Sequence, residues 1–484
     1  MMTLTAKNIG LFSGPVVALL MMQFLHVEGL PAAGVYTAAI ATWMAIWWAT
    51  EAVPVAATAL LPLVMFPLLQ VSSLDKASAA YGNPTIFLFL GGFILAAAIQ
   101  KCGLHLRIAF FILTNVNRSS GAIILGFAVS SAFLSMWISN TSTTLMLLPV
   151  ALSVIAGLSE LGSKLSPTEF RHFKLNLMLA IAYGATFGGM STIVGTPPNA
   201  FLVAYLKTEH QITIGFMQWM LATMPLTIAF IAAFYWLSTK VLFPVNFSTP
   251  AAVLAQIKQQ RRDLGKMSAA ETRVAAVFLL VVFAWISQGV IQKYVPGIAL
   301  SDTFVALVGA LSLFMLGNGN KESSERLLVW DDLRDVPWDV LILFGGGLAL
   351  AAAFSSSGLA KWLGSNLVLL NAMGPLLLVL GATTLIIFLT EMTSNLATTA
   401  TFLPVGSAIA LQAGIDPLLL LVPIALAASC AFMLPVATPP NAIIFASGHI
   451  SIPQMMKAGI VLNLLGIVLV TAVGYYWVPL MLNV

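Results

Sequence analysis

The chain has 484 residues, of which 60% are hydrophobic and only 8% are charged, whereas about 25% of the residues in soluble domains are charged. Together with a mean hydropathy of +0.98, this composition excludes a soluble enzyme or a soluble binding domain and predicts a protein that crosses a membrane many times. The formal net charge of +4 does not indicate a nucleic-acid partner, because the distribution of the basic residues among the loops explains it.

Hydropathy predicts about eleven membrane-spanning helices. In chain order they cover approximately residues 9–26, 34–50, 53–71, 84–101, 176–206, 215–240, 272–292, 302–317, 338–357, 416–447 and 458–482. Two further apolar stretches, 121–158 and 373–412, are each long enough for a pair of helices that enters and leaves on one side. The predicted fold is therefore all-α, with about eleven transmembrane helices, two re-entrant helical hairpins and no separate soluble domain.

The loops between the predicted spans differ strongly in charge. Placing the N-terminus in the cytoplasm puts seventeen of the 21 Lys and Arg residues inside and four outside. Since cytoplasmic loops carry an excess of Lys and Arg, the sequence predicts a multi-pass protein of the cell (inner) membrane. Its N-terminus is predicted to be cytoplasmic and its C-terminus outside.

A polar sequence that is unusual in apolar surroundings occurs twice. Residues 139–144, Ser-Asn-Thr-Ser-Thr-Thr, recur 255 residues later as residues 394–399, Ser-Asn-Leu-Ala-Thr-Thr. Upstream, Phe-Leu-Gly-Gly at 89–92 recurs at the same offset as Phe-Gly-Gly-Gly at 344–347. The chain therefore contains an internal repeat, with one copy at about 34–245 and the other at about 270–484. Because each copy crosses the membrane an odd number of times, the second is predicted to be inverted relative to the first.

A second duplicated motif, Thr-Pro-Pro-Asn, lies in the middle of two predicted spans. It occupies residues 196–199 and 438–441, an offset of 242 that a shorter loop in the second copy explains. Two adjacent prolines remove backbone donors and clash with the preceding carbonyls, so each helix must break there. Each break exposes carbonyls near Gly195 and Ala437 and begins a new helix. Such paired breaks are typical of the binding sites of secondary transporters.

The first Ser-Asn motif lies between two apolar arms, 121–138 and 142–158. The arms could be full spans joined by an extracellular loop, or a re-entrant hairpin with the motif at its buried tip. A short turn without Gly, Pro or charge makes a poor exposed loop, and irregular backbone at membrane depth is tolerated where it lines a cavity, which favours the hairpin. At such a tip Ser or Asn would cap the second arm, whose free N–H groups would suit an oxyanion.

The motifs contain no basic residue, so an anion bound there must rely on neutral donors and helix ends. A helix end contributes about 0.3–1 kcal/mol, or ~2 kcal/mol when partly buried, whereas removing a charge from water costs several kcal/mol. Bound cations would make up the difference. The uncharged oxygen-rich clusters around Ser135 and Asn140 and around Thr390 and Asn395 are therefore predicted to bind sodium.

Glu391 is the only acidic residue near the motifs. An intramembrane acid is a candidate proton or cation group, but the repeat counterpart of Glu391 is Met136, so the acid is not part of the duplicated machinery. The sequence shows no nucleophile–base pair, metal cluster or phosphate-binding loop. It therefore predicts a transporter and not an enzyme.

The two Ser-Asn motifs, each followed by a Thr-Pro-Pro-Asn break, resemble those of the divalent anion/sodium symporter family, and the resemblance covers essentially the whole chain. Members of this family carry dicarboxylates, citrate or sulfate. The resemblance implies a homodimer in which interleaved scaffold and transport units work by an elevator mechanism. It implies two sodium sites, formed by Ser135, Ser139, Asn140 and Gly195 and by Thr390, Thr393, Asn395 and Ala437. The implied substrate-binding residues are Ser139, Asn140, Thr141, Ser394, Asn395, Thr438 and Pro439.

The leading hypothesis is sodium-coupled import of a small divalent anion, with a C4-dicarboxylate such as succinate as the favoured substrate. Sulfate symport and sodium-independent dicarboxylate or anion exchange are the alternatives, while an anion channel would need a continuous pore instead of hairpins. One departure bears on the substrate: the second motif has Leu396 where carboxylate-transporting relatives usually have Thr. The expected partners are the anion, sodium ions, membrane lipid and a second copy of the chain.

Overall fold

The computed structural model describes residues 6–117, 119–160, 166–294, 300–320, 325–366 and 374–482. Within these ranges the chain forms 23 α-helices with short 3-10 and π segments, and it contains no β-strand. The predicted all-α fold is thereby confirmed. Residue 373, where the second predicted helix pair begins, and residues 483–484, where the second predicted repeat ends, lie outside the described residues.

The first half of the chain runs from the N-terminal helix to a basic helix near residue 260. Its helices are α1 (Ala6–Phe24), α2 (Ala32–Thr50), α3 (Val55–Thr58), α4 (Leu61–Leu68), α5 (Leu74–Ala79), α6 (Pro84–Lys101), α7 (Leu104–Thr114), α8 (Ser120–Ser135), α9 (Asn140–Glu160), α10 (Pro167–Met190), α11 (Pro197–Glu209), α12 (Phe216–Trp236) and α13 (Ala251–Asp263). Local sequence sets several of these starts. The side chains of Asn83 and Ser119 accept backbone N–H groups in the first turns of α6 and α8, which is the ordinary role of an N-cap.

The second half repeats much of this order. Its helices are α14 (Ala269–Tyr294), α15 (Asp302–Met315), α16 (Trp338–Ser356), α17 (Leu359–Asn366), α18 (Gly374–Thr390), α19 (Asn395–Gln412), α20 (Pro417–Ala428), α21 (Pro439–Ala446), α22 (Ile452–Ala472) and α23 (Val478–Leu482). Ser301 and Asp416 cap α15 and α20 in the same way as the caps of the first half.

Seven helical segments among the described residues are long and apolar enough to cross a membrane. They are Ala32–Thr50, Leu74–Lys101, Asn140–Ser159, Phe216–Leu242, Ala269–Tyr294, Trp338–Ser356 and Ile452–Leu482. Three predicted spans are instead interrupted, between α3 and α4, α10 and α11, and α20 and α21. Each second piece has a proline in its first turn, namely Pro62, Pro197 and Pro439, where the missing N–H is tolerated but the preceding helix cannot continue. The total number of spans stays a prediction.

Helices α6 and α16 carry the matched Phe and Gly residues and make matched contacts. The rings of Phe89 and Phe344, at equivalent positions of the two copies, lie 5.2 Å apart. A Cβ added at Gly91 would lie 2.7 Å from Cβ of Ala306, and one added at Gly346 would lie 2.7 Å from Cβ of Ala59. These glycines therefore permit close approach of α6 to α15 and of α16 to the turn between α3 and α4.

Two helix pairs with short tips carry the Ser-Asn motifs. Helices α8 and α9 are joined by residues 136–139, and α18 and α19 by residues 391–394. The second helix of each pair packs against a broken helix of the other half, α9 against α21 and α19 against α11. Both tips therefore lie beside helix breaks, although the depth of the helix pairs in the membrane stays a prediction.

The basic helix α13 packs against α7 and α9. It buries Val253 and Ile257, and Gln260 Nε2 donates to Ser153 Oγ of α9 at 2.9 Å. The following turn is held by Arg107 of α7, whose guanidinium donates to the carbonyl oxygens of Leu264 at 3.1 Å and Gly265 at 2.9 Å. The same guanidinium contacts both carboxylate oxygens of Glu271 in α14 at 3.0 Å. This arrangement leaves Lys258 exposed at a position that the charge distribution assigns to the cytoplasm.

The predicted orientation can be tested with two introduced cysteines. In a background without Cys102 and Cys430, a membrane-impermeant thiol reagent added to intact cells is expected to label Thr213→Cys and to leave Lys258→Cys unlabelled. Both positions are exposed, so accessibility depends on the side of the membrane. Labelling of Lys258→Cys after permeabilisation is the control. The opposite pattern would reverse the predicted topology.

Candidate functional site

Both helix-pair tips and both helix breaks line one cavity of 1330 Å³. The sequence stretches that meet there are separated by up to about 300 residues along the chain. From the motifs, the lining residues are Ser139, Asn140, Thr141, Ser142, Gly195, Thr196, Pro197, Pro198, Thr393, Ser394, Asn395, Leu396, Ala437, Thr438, Pro439 and Pro440. The structure thus brings together every residue predicted to bind substrate, together with most of those predicted to bind sodium.

The first oxygen cluster consists of Ser135, Ser139, Asn140 and Gly195. Ser135 is fully buried, and its Oγ donates to Oδ1 of Asn140 at 2.5 Å. A Cβ at Gly195 would lie only 3.0 Å from the Ser135 carbonyl oxygen and 2.5 Å from that of Gly189. Residue 195 must therefore be glycine for the end of α8 to approach the first break. Gly189 could not be identified from the sequence because it lies outside the recurring motif.

The second oxygen cluster consists of Thr390, Thr393, Asn395 and Ala437. Thr390 Oγ1 lies 2.9 Å from Oδ1 of Asn395 and 2.7 Å from the carbonyl oxygen of Ala428. The contact of Thr390 with Asn395 corresponds to that of Ser135 with Asn140. The two clusters thus share one arrangement, in which the hydroxyl that ends the first helix meets the amide that begins the second.

The helix starts at the two tips differ in their capping. Ser139 Oγ accepts the backbone N–H of Ser142 at 3.2 Å, as predicted for the cap of α9. Ser394 occupies the equivalent position before α19 but makes no side-chain capping bond. At the breaks the difference is reversed, because Thr438 Oγ1 accepts the N–H of Asn441 at 3.3 Å, whereas Thr196 makes no capping bond.

Charged residues lie at the mouth of the cavity and not at the tips. The basic residues there are Lys101 and Arg334, and the acidic ones are Glu51, Asp331, Asp332, Asp335 and Asp339. Lys101 forms an ion pair with Asp332 at 2.7 Å, and Arg334 forms one with Asp331 at 3.3 Å. Both cations of the mouth are thus paired with acids. An anion at the tips would have to be held by hydroxyl groups, amides and helix N-termini.

Glu391 accepts hydrogen bonds from four donors. Its Oε1 accepts from the backbone N–H of Phe432 at 2.7 Å and of Met433 at 2.9 Å, and its Oε2 accepts from that of Leu434 at 3.1 Å. Asn463 Nδ2 of α22 adds a further donor to Oε1 at 2.7 Å. These N–H groups would be repelled by a cation, so the geometry assigns Glu391 to the support of the second break and not to cation binding.

Several supporting contacts were not predicted from the sequence. Thr192 Oγ1 in the first break donates to the Met136 carbonyl of the first tip at 2.6 Å. The hydroxyl of Tyr183 in α10 donates to the Phe432 carbonyl in the second break at 2.6 Å, which links the two halves. Of the supporting residues, Asn463, which bonds Glu391, could have been noticed in the sequence, because it is an amide side chain within a predicted membrane span.

Comparison with known proteins identifies relatives over nearly the full length. The family described as the sodium:sulfate symporter transmembrane region matches residues 6–483. The sodium-dependent dicarboxylate transporter SdcS of Staphylococcus aureus (strain MRSA252) is 41% identical over 483 residues, covering 99% of this chain and 93% of the relative. SdcS of Staphylococcus saprophyticus subsp. saprophyticus is 41% identical over 478 residues, covering 98% and 92%.

Among solved structures, the crystal structure of the Alcanivorax borkumensis YdaH transporter is similar, with a TM-score of 0.56. The match covers 91% of this chain and 98% of that chain, at 13% sequence identity. At this identity the similarity concerns the fold alone. YdaH is a transporter with an unusual topology, and the similarity extends over almost all of both chains.

The contribution of Glu391 to the second break can be measured from the unfolding temperature of the purified protein. Glu391→Gln keeps the size of the side chain but sets an NH₂ group against a backbone N–H, and an unsatisfied buried donor costs about 1–3 kcal/mol. We expect the purified variant to unfold at a lower temperature than wild type, and Glu391→Met, which removes both carboxylate oxygens, at a lower temperature still. Glu209→Gln, which alters a carboxylate with one side-chain partner, is the control. Unchanged unfolding of both Glu391 variants would contradict the assignment.

Proposed function

Because the chain belongs to the sodium:sulfate symporter family, we propose that it is a secondary transporter that imports a small divalent anion together with sodium ions. The observation that carries the proposal is the meeting of both Ser-Asn tips and both Thr-Pro-Pro-Asn breaks at one cavity. A C4-dicarboxylate such as succinate is the favoured substrate, in line with the dicarboxylate named for the Staphylococcus relatives. The proposed location is the cell membrane, with the N-terminus in the cytoplasm.

The two oxygen clusters are the proposed sodium sites. Each joins a hydroxyl, an amide oxygen and the carbonyls of a broken helix, which is the type of ligand set that transporters offer to sodium. The residues assigned to the first site are Ser135, Ser139, Asn140 and Gly195, and those assigned to the second are Thr390, Thr393, Asn395 and Ala437. The absence of a charged side chain from both clusters suits a monovalent cation that must also be released.

The anion is proposed to bind between the two tips. Within the described part of the chain no acceptor meets the Nδ2 group of Asn140 or of Asn395, so both amides can donate to a bound oxyanion while their Oδ1 atoms face the cations. The N-termini of α9 and α19 add oriented backbone donors. The residues assigned to the substrate are Ser139, Asn140, Thr141, Ser394, Asn395, Thr438 and Pro439.

The quaternary arrangement and the mode of movement follow from the family resemblance. We propose a homodimer in which a scaffold unit holds the subunit contacts and a transport unit carries the two tips across the membrane. The packing of α9 on α21 and of α19 on α11 supports a transport unit that contains both helix pairs and both broken helices. Movement of these elements together would keep the two oxygen clusters and the anion site intact during transport.

Sodium dependence is the decisive test of the proposal. Moving a dianion into a negative-inside cell costs about 2.3 kcal/mol per charge per 100 mV, and two sodium ions only neutralise it, so accumulation driven by the potential requires a third. We therefore expect succinate uptake into proteoliposomes to rise steeply with external sodium and to be electrogenic. Uptake at the full rate in choline buffer would contradict symport and favour the exchanger.

Leu396 provides a test of substrate selection. Its side chain lines the cavity at the second tip, where it offers an apolar wall instead of a donor. A neutral hydrogen bond contributes about 0.5–1.5 kcal/mol, so Leu396→Thr is expected to tighten dicarboxylate binding by up to about tenfold, or to widen selectivity toward longer acids such as citrate. Competition of succinate, sulfate and citrate against labelled substrate is the measurement. A competition profile that is unchanged in the variant would show that Leu396 does not select the anion. Preference of the wild type for sulfate over succinate would favour the sulfate alternative.

A further inference from the structure

The asparagine that ends each Thr-Pro-Pro-Asn motif reaches back across its own helix break. Asn199 is fully buried, and its Nδ2 lies 3.1 Å from the carbonyl oxygen of Gly189 and 2.7 Å from that of Thr192. A further carbonyl, that of Met190, lies at 3.1 Å. One side-chain amide thus links the start of α11 to the end of α10 and to the unwound segment between them.

The second copy repeats two of these three contacts at the same relative positions. Asn441 is also fully buried, and its Nδ2 donates to the carbonyl oxygens of Ala431 and Leu434, both at 3.1 Å. In both halves the asparagine therefore bonds the carbonyls of the residues ten and seven positions before it. Ala431 and Leu434 are the counterparts of Gly189 and Thr192 at the offset of 242 that relates the two motifs.

The two breaks themselves differ, which makes the matched contacts informative. Helix α10 continues to Met190 and the first break covers residues 191–196, whereas α20 ends at Ala428 and the second break covers residues 429–438. The second break is additionally supported by Glu391, for which the first has no counterpart. The amide bonds to positions −10 and −7 are thus kept although the length and other support of the break are not.

In the first half the bonded carbonyl forms part of the wall of the first oxygen cluster. A Cβ at Gly189 would lie 2.6 Å from Oδ1 of Asn140 and 3.2 Å from the carbonyl oxygen of Gly195. Asn199 therefore fixes the backbone that brings Gly189, Gly195 and Asn140 together, without itself belonging to the predicted ligand set. A shift of this carbonyl would change the size of the cluster.

We propose that Asn199 and Asn441 are positioning residues that set the two oxygen clusters at the size required for sodium. Their chemistry fits this role, since Asn offers two N–H donors on a short side chain, while Asp would offer none and Gln would be too long. In the described structure Oδ1 of each residue has no hydrogen-bond partner. An unsatisfied buried acceptor is unfavourable, yet Asn occupies both positions. The two N–H donors of its side chain are therefore what these positions require.

The chain contains a matched control for this role. Asn176 in α10 is likewise fully buried, its Nδ2 donates to the Phe243 carbonyl at 2.9 Å, and its Oδ1 also lacks a partner in the described structure. It lies away from both breaks. Asn176→Leu therefore removes a comparable buried amide without disturbing either oxygen cluster.

The inference rests on the proposed sodium coupling and is tested by comparing Asn199→Leu, Asn441→Leu and Asn176→Leu. The first measurement is the sodium concentration that gives half of the sodium-induced thermal stabilisation of the purified protein without substrate. The second is the sodium dependence of uptake in proteoliposomes, with the KM for succinate determined at saturating sodium.

We call the sodium concentration at half of the effect, in stabilisation or in uptake, the sodium midpoint. Asn199→Leu and Asn441→Leu are expected to raise both sodium midpoints at least about threefold, because one or two hydrogen bonds are lost. The succinate KM at saturating sodium is expected to stay close to wild type. Asn176→Leu is expected to lower the melting temperature without moving the sodium midpoints. Where a Leu variant cannot be purified, Asn199→Ser or Asn441→Ser, which retain one donor on a smaller side chain, are expected to show the same shift in the same direction.

Two negative results have different meanings. Sodium midpoints of the Asn199 and Asn441 variants that match those of Asn176→Leu, in a wild-type background that responds to sodium, would overturn the positioning role alone. A wild-type protein whose stability and uptake are both independent of sodium would overturn the proposed symport. A reduced maximal rate with unchanged sodium midpoints would indicate that the asparagines serve only the folding of the breaks, and would also overturn the inference.

Discussion

The site depends on two interruptions of helices inside apolar sequence, at residues 191–196 and 429–438. The core of a bilayer contains no water, so backbone groups released by a break must be satisfied by the protein or by what it binds. Asn199 bonds such a group in the first break, and Glu391 and Asn441 do so in the second. Other residues of the breaks line the cavity, where their backbone groups would be available to the proposed sodium ions and anion.

The two halves of the chain reach similar geometry by different means. The first break is short and depends on close backbone approach at Gly189 and Gly195. The second is longer, and the carboxylate of Glu391 gathers three of its backbone N–H groups while Asn463 completes the set. Four donors of the protein thus occupy the two carboxylate oxygens of Glu391.

The electrostatics of the cavity match a transporter that binds anion and cations together. The tips offer neutral donors and acceptors, so neither a dianion nor sodium alone would be well compensated there, whereas the two together neutralise each other. The mouth carries five acidic residues against two basic ones, a balance that attracts cations and disfavours an anion without them. In the predicted orientation this mouth would face the cytoplasm.

The sequence by itself determined the membrane class, the helical fold, the duplicated motifs and the prolines at which α11 and α21 begin, because composition, hydropathy and the stereochemistry of proline are local properties. It also identified Ser135, Asn140, Thr390 and Asn395 as an oxygen-rich set, since their order recurs. It could not determine which carbonyls Asn199 and Asn441 hold, that Glu391 faces backbone N–H groups, or that Tyr183 reaches the second break. Asn199 and Asn441 depend on how the chain folds between two helices, Glu391 on the packing of α18 against α20 and α22, and Tyr183 on the packing of α10 against α21. Only the tertiary structure brings these groups within hydrogen-bonding distance.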